Sequence, residues 1–190
     1  MRQEIDRVMI HREAIDARVE EMGKTLSADL QHDLEAEGAD AFTHPDRIVM
    51  VPVMTGAMVF AADLIRHMPL KLSLDLVTVS SYPGQSTLSK GAMMRSAFPD
   101  NLNGKHVVII DDILDSGATL SLVQTLAQEQ EPATLRTIVL LDKKARRVVQ
   151  NVEAEYVGFE IPDEFIVGYG LDYDGYYRNL PDICTLKDLG

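Results

Sequence analysis

His106 to Leu120 reads HVVIIDDILDSGATL: four branched aliphatics run into two adjacent aspartates, and a third aspartate opens a Ser-Gly-Ala-Thr turn. The apolar run has the length and β-branched content of a buried strand. In open parallel sheets ligands sit outside the carboxyl ends of the strands, which is where Asp111 and Asp112 fall after Val107–Ile110. Two carboxylates there can accept hydrogen bonds from vicinal sugar hydroxyls or hold a divalent cation through water. The alternative is a solvated turn in which Asp115 or Ser116 caps the next helix. A cap needs one side chain, whereas this stretch supplies Asp111, Asp112, Asp115, Ser116 and Thr119 around a glycine that permits tight turning. Turn amides that open into a helix N-terminus form an anion site. The stretch therefore reads as acid for a sugar, followed by amides for its phosphate.

Strand and helix alternate on both sides of it. RIVMVPVM reads as a buried strand and TGAMVFAADLIRHM as the helix after it; SGATLSLVQTLAQEQ reads as a helix and TLRTIVLLD as another buried strand. Such alternation is what a parallel sheet flanked by helices requires. LKLSLDLVTVSSY alternates apolar and polar residues as a half-buried strand does. PGQSTLSKG reads as a long loop, and AMMRSAF as a resumed strand. Ile5, Val8, Met9, Ile15, Val19 and Met22 fall near helical spacing, which predicts an amphipathic helix over residues 2 to 22, with a second short helix from Asp29 to Glu37 ended by Gly38. The last third, rich in aromatics, Gly and Pro, reads as short strands and turns forming a lid or edge.

The 190 residues are the length of one domain. A formal net charge of −12 disfavours nucleic acid as a general partner. An acidic chain can still bind a small phosphorylated ligand through backbone amides and a metal ion. With one cysteine, Cys184, no intramolecular disulfide is possible. Met1–Asp16 lacks the apolar core of a signal peptide, and no apolar run approaches the length of a membrane helix. The expected address is the cytoplasm, with no membrane partner.

DDILDSGAT resembles the phosphoribosyl pyrophosphate signature of the type I phosphoribosyltransferases. From Ile48 to Leu186 the chain resembles the hypoxanthine-guanine branch of that family, through SSY at Ser80–Tyr82, LLDKKARR at Leu140–Arg147 and YVGFEIPDEFIVGYGLDYDGYYRNLP at Tyr156–Pro181. The resemblance implies an α/β type I phosphoribosyltransferase fold: a central, mainly parallel sheet flanked by helices over residues 40 to 155, and a small hood built from the terminal segments. It implies Mg²⁺-dependent transfer of ribose 5-phosphate from phosphoribosyl pyrophosphate to a 6-oxopurine, in a homodimer or homotetramer. Asp111 and Asp112 match the acidic pair that orients the ribose and supports the metal. Asp115, Ser116, Gly117, Ala118 and Thr119 match the 5-phosphate loop, and Asp115 also the candidate general base. Lys143 matches the lysine that donates to the purine O6, Phe165 the aromatic that stacks on the base, and Ile166 the neighbour whose backbone reads the ring edge. Asp172 matches an acid at the base and metal, and Arg178 a pyrophosphate-binding arginine. Ser81 and Tyr82 match the start of a flexible loop whose closure would exclude water. Tyr169, Tyr173, Tyr176 and Tyr177 match no such role and read as packing.

The chain departs from the family at VPVMTGAM, Val51 to Met58, where the pyrophosphate loop has Leu-Lys-Gly and this sequence has Met54-Thr55-Gly56. Such loops can carry a non-proline cis peptide, and backbone amides at Thr55 and Gly56 would then make the pyrophosphate contacts. Two rival readings are a xanthine-preferring relative and a non-catalytic phosphoribosyl pyrophosphate sensor. Against the sensor stand the acidic balance and the presence of both Asp115 and Lys143.

Overall fold

The computed structural model describes residues 4–81 and 92–187, residue 81 by its backbone alone. Its centre is a seven-stranded sheet. β2 (Ile48–Met54) pairs in parallel with β6 (His106–Leu114), β6 with β7 (Thr134–Asp142), and β7 with β8 (Tyr156–Glu160). On the other side of β2 lie β3 (Ser73–Leu74) and β4 (Val77–Ser81), both parallel to it, and antiparallel β5 (Ala92–Met94) closes the edge.

β2, β6 and β7 are nearly continuous apolar runs because both faces of the sheet are covered. On one face α1 (Arg12–Ala36) and α2 (Met58–Arg66) bring Ile15, Leu26, Phe60 and Leu64 against Met50, Val108 and Ile110. On the other, α3 (Ala118–Gln128) brings Leu120, Val123 and Ala127 against Val107, Ile109 and Val139. The predicted mainly parallel sheet flanked by helices is present.

A second, three-stranded sheet joins the two ends of the chain. β1 (Ile5–Ile10) pairs antiparallel with β10 (Ile183–Leu186), which pairs antiparallel with β9 (Ile166–Val167). This is the hood expected from the terminal segments.

Three expectations are corrected. Residues 5–10 are a strand, and one 25-residue helix replaces the two predicted ones. The half-buried strand after Leu70 is interrupted at Asp75–Leu76, so that β3 follows Val49–Met50 and β4 follows Val53–Met54. β6 does not stop at Ile110; it runs on through both acids to Leu114, in register with Val139–Asp142. The loop predicted over 83–91 lies outside the described residues.

Candidate active site

The extension of β6 fixes the acidic pair. Asp111 is buried and Asp112 half-buried, and the Asp112 amide donates to Asp111 Oδ1 at 3.0 Å. Burial pushes both carboxyls above the usual range, and repulsion from Asp112 pushes Asp111 further. For Asp112, Arg178 pulls the other way but does not prevail. The loop after β2 reaches the pair through Gly56, where a Cβ would run into the Asp112 carboxylate. The Met54–Thr55 peptide is cis, a geometry that such loops can carry.

The turn after β6 depends on Gly117, whose φ of +87° belongs to the left-handed region. Gly117 is the N-cap of α3, with no side-chain cap; Ser116 Oγ accepts from the Ala118 amide at 3.3 Å. The simple reading of Asp115 as a helix cap therefore fails. The loop is braced from behind: Val148 and Val149 amides both donate to the Ser116 carbonyl at 3.0 Å, and Arg147 Nε donates to the Asp115 carbonyl at 3.1 Å. Asp115 Oδ1 is buried without a hydrogen-bond partner. Arg146 Nε stands 3.6 Å from it.

Acids and turn line one cavity of about 440 Å³, together with Met54, Gly56, Thr119, Arg146, Asp172 and Arg178. Its wall carries four carboxylates (Asp111, Asp112, Asp115, Asp172) against two guanidiniums. Arg178 is held by Gly170 O at 2.5 Å and by Asp172 at 2.7 Å, while the other Asp172 oxygen accepts the Gly175 amide at 2.8 Å. Among the described residues there is no group of three or more His, Cys, Asp or Glu that could hold a metal ion. Mg²⁺ needs no such cage, because it keeps several waters and is commonly held by one or two carboxylates plus substrate phosphates. Two adjacent acids, Asp111 and Asp112, in a crevice with surplus negative charge suit that mode.

Lys143, Phe165 and Ile166 lie beside this cavity and do not line it. Lys143 follows β7; its amide donates to the Leu114 carbonyl at 3.0 Å, which sets it along the end of β6. Its side chain is 4% exposed, so it belongs to no surface basic cluster, and Nζ donates to the Glu164 carbonyl at 2.9 Å. Phe165 is 53% exposed, which excludes a core role, and Tyr173 meets its ring edge-on with centroids 5.3 Å apart. Glu164, Phe165, Tyr173 and Thr185 line a neighbouring cavity of about 370 Å³. Ile166 is buried in β9. Ser81 ends β4, and Tyr82 lies outside the described residues.

Sequence reasoning missed Arg146 and Tyr173. Arg146 was hidden in a basic run that reads as surface charge, and its place in the crevice depends on the turn of 3₁₀-helix at Lys144–Arg146. The tyrosines divide as composition could not foretell. Tyr169 and Tyr177 are buried, with hydroxyls bonded to Asp63 and Glu4, whereas Tyr173 and Tyr176 stand exposed.

A phosphoribosyl transferase domain model matches residues 25–174. Among curated relatives, the hypoxanthine-guanine phosphoribosyltransferase of Bacillus subtilis is 39% identical over 98% of this chain and 96% of its own length. The hypoxanthine phosphoribosyltransferase of Escherichia coli is 38% identical over 93% and 92%. A crystal structure of a hypoxanthine phosphoribosyltransferase from Staphylococcus aureus superposes with a TM-score of 0.85 at 37% identity, covering 98% of this chain and 94% of that one.

Proposed function

The chain belongs to the phosphoribosyltransferase family, in its hypoxanthine-guanine branch, and on that premise we propose that it transfers the 5-phosphoribosyl group of phosphoribosyl pyrophosphate to hypoxanthine or guanine in purine salvage. The products are IMP or GMP and pyrophosphate. The observation that carries this reading is the juxtaposition, in one cavity, of the Asp111–Asp112 pair with the α3 amide turn: one holds ribose hydroxyls, the other the phosphate.

In the reaction the bond from the anomeric carbon to the pyrophosphate oxygen breaks and a bond to a ring nitrogen of the purine forms. The proton of that five-membered ring leaves to a base. Asp115, with an unpartnered oxygen at the crevice wall, is the acceptor. The Ser116–Thr119 turn holds the 5-phosphate through its amides and the Ser116 and Thr119 hydroxyls. Thr55 and Gly56 offer backbone amides to the pyrophosphate, and Arg178 its guanidinium. Asp111 and Asp112, with Asp172 close by, would support Mg²⁺, which when bound neutralises charge on the leaving pyrophosphate. The exposed Phe165 ring stacks on the purine, beside the backbone of Ile166 and the carboxylate of Asp172. Lys143 retains two N–H groups beyond the one given to Glu164 and donates to O6; adenine presents an amino group there and is refused. Closure of the segment that starts at Ser81 and Tyr82 excludes water, which would otherwise hydrolyse the donor. We place the enzyme in the cytoplasm, as a homodimer or homotetramer in which residues 1–190 work as one domain.

Nucleotide formation from phosphoribosyl pyrophosphate and Mg²⁺, followed in parallel with hypoxanthine, guanine, xanthine and adenine, tests this. Product from the first two and little from adenine is expected; dominant use of xanthine would change the base, and no product from any would overturn the assignment. In the same assay Lys143→Ala is expected to raise KM for hypoxanthine about tenfold or more. An unchanged KM would remove Lys143 from the base site.

A further inference from the structure

Arg146 lines the crevice beside the Asp115–Thr119 turn with about half of its side chain exposed. Its Nε is 3.6 Å from Asp115 Oδ1 and 3.7 Å from Asp163 Oδ1. Both distances are too long for hydrogen bonds. Among the described residues its guanidinium makes none; only its backbone amide is bonded, to the Lys143 carbonyl at 3.1 Å. The neighbouring guanidiniums are committed. Arg147 is spent on Asp142, the Asp115 carbonyl and the Val152 carbonyl at 2.8 Å. Arg178 is held by Gly170 and Asp172.

The phosphate turn itself, Asp115-Ser116-Gly117-Ala118-Thr119, contains no cation. A phosphate seated on its amides would lie beside the Asp115 carboxylate in a wall that already carries surplus negative charge. Helix amides alone answer that poorly, since they supply only partial positive charge. An arginine fork matches phosphate oxygens in geometry as well as in charge. We propose that Arg146 is a phosphate-binding residue: its guanidinium leaves its position between Asp115 and Asp163 and takes the 5-phosphate of the ribosyl donor. This rests on the phosphoribosyl-transfer reading and adds to it a residue outside the signature turn. Asp163 is then a competitor that holds the arm when the turn is empty, so its charge opposes phosphate binding.

The experiment is titration of the full chain by calorimetry with ribose 5-phosphate and, separately, with inorganic pyrophosphate plus Mg²⁺. Arg146→Ala is expected to weaken ribose 5-phosphate binding by roughly three- to tenfold, the range for a partly exposed charge-assisted contact. Pyrophosphate affinity and the melting temperature are expected to stay as in the native protein. Arg146→Lys should recover part of the loss, because it keeps the charge without the fork. Asp163→Asn should act in the opposite sense and tighten ribose 5-phosphate binding up to about threefold. Native-like ribose 5-phosphate affinity in Arg146→Ala would overturn the assignment, as would an equal loss for both ligands with a lowered melting temperature, which marks a structural role. A native protein that neither binds ribose 5-phosphate nor forms nucleotide sinks the phosphoribosyl-transfer reading and this inference with it. A native protein that does both, beside an indistinguishable Arg146→Ala, sinks this inference alone.

Discussion

At the amino end of β6, His106 is fully enclosed, with Asp33 and its partner Arg136 near Nδ1 and Glu37 and its partner Arg47 near Nε2; toward the carboxyl end, Asp111 and Asp112 stand side by side. The first group is electrically closed. Arg136 pairs with Asp33 at 2.5 Å, Arg47 pairs with Glu37, and His106 Nδ1 meets Thr134 Oγ1 at 2.9 Å. The second is open: its cavity wall holds twice as many carboxylates as guanidiniums, and burial lifts the pKa of both acids, the direction expected where carboxylate charge is not compensated. One strand thus buries ionisable groups at both ends and leaves the charge unmatched at the end where a parallel sheet places its ligands. Unmatched buried charge costs stability unless a ligand relieves it, so its location separates a binding site from a structural cluster.

Substitutions at the two ends should therefore fail in different ways. Asp111→Asn keeps an oxygen to accept the Asp112 amide but removes a buried charge. Turnover is expected to fall about 100-fold or more, the scale of losing one electrostatic group at a reacting centre. The melting temperature of the substrate-free protein should hold or rise, by an amount equivalent to about 1 kcal/mol. A clear loss of stability would break the comparison, because it would make the acidic pair part of what holds the fold together. At the other end, Arg136→Met strands Asp33 beside His106. Breaking a fully buried pair costs about 3–5 kcal/mol. Here each partner is about one-fifth exposed, so about 2 kcal/mol is expected, read as a melting temperature lower by roughly 4 to 8 °C. Activity per folded molecule at 25 °C should be native. Thermal unfolding and initial rates on the same samples check both variants.

The contrast was only half legible in the sequence. Asp111, Asp112 and the turn announce themselves because local order dictates them: an apolar run, two acids, then small residues around Gly117. β2, α2, α3 and β7 were readable for the same reason, each carrying its own period and its own breaker. The amino-terminal strand was not, since Ile5, Val8 and Met9 fit helical spacing and the choice of strand is made by β10, which lies more than 170 residues away in the chain. The closed cluster around His106 was equally invisible, because α1, the approach to β2, and β7 contribute its members from separate parts of the chain. The purine side falls between these cases. Lys143 could be placed at the crevice from the end of β7, but its burial beneath the Glu164 carbonyl required the fold.

The smallest expected effect bears on whether the His106 cluster is closed with the imidazole neutral or charged. Asp33 and Glu37 favour the imidazolium, Arg47 and Arg136 oppose it, and burial outweighs both, so the His106 pKa lies below its ordinary value of 6.5. A histidine with a lowered pKa binds fewer protons in the folded chain than in the unfolded one, and its stabilising contribution is complete above about pH 6.5. That contribution is lost as pH falls from there toward the folded value, with a slope of at most about 1.4 kcal/mol per pH unit. The other four histidines, His11, His32, His44 and His67, are exposed. His106→Gln can keep a hydrogen bond to Thr134 without titrating. The native protein should therefore lose melting temperature between pH 7.5 and pH 5.5 more steeply than His106→Gln does. A shallower loss in the native protein than in His106→Gln would mean that His106 is already protonated in the fold, held by Asp33 and Glu37. The amino end would then carry a surplus positive charge of its own, and burial of unmatched charge would no longer single out the acidic end of β6 as the place where the ligand binds.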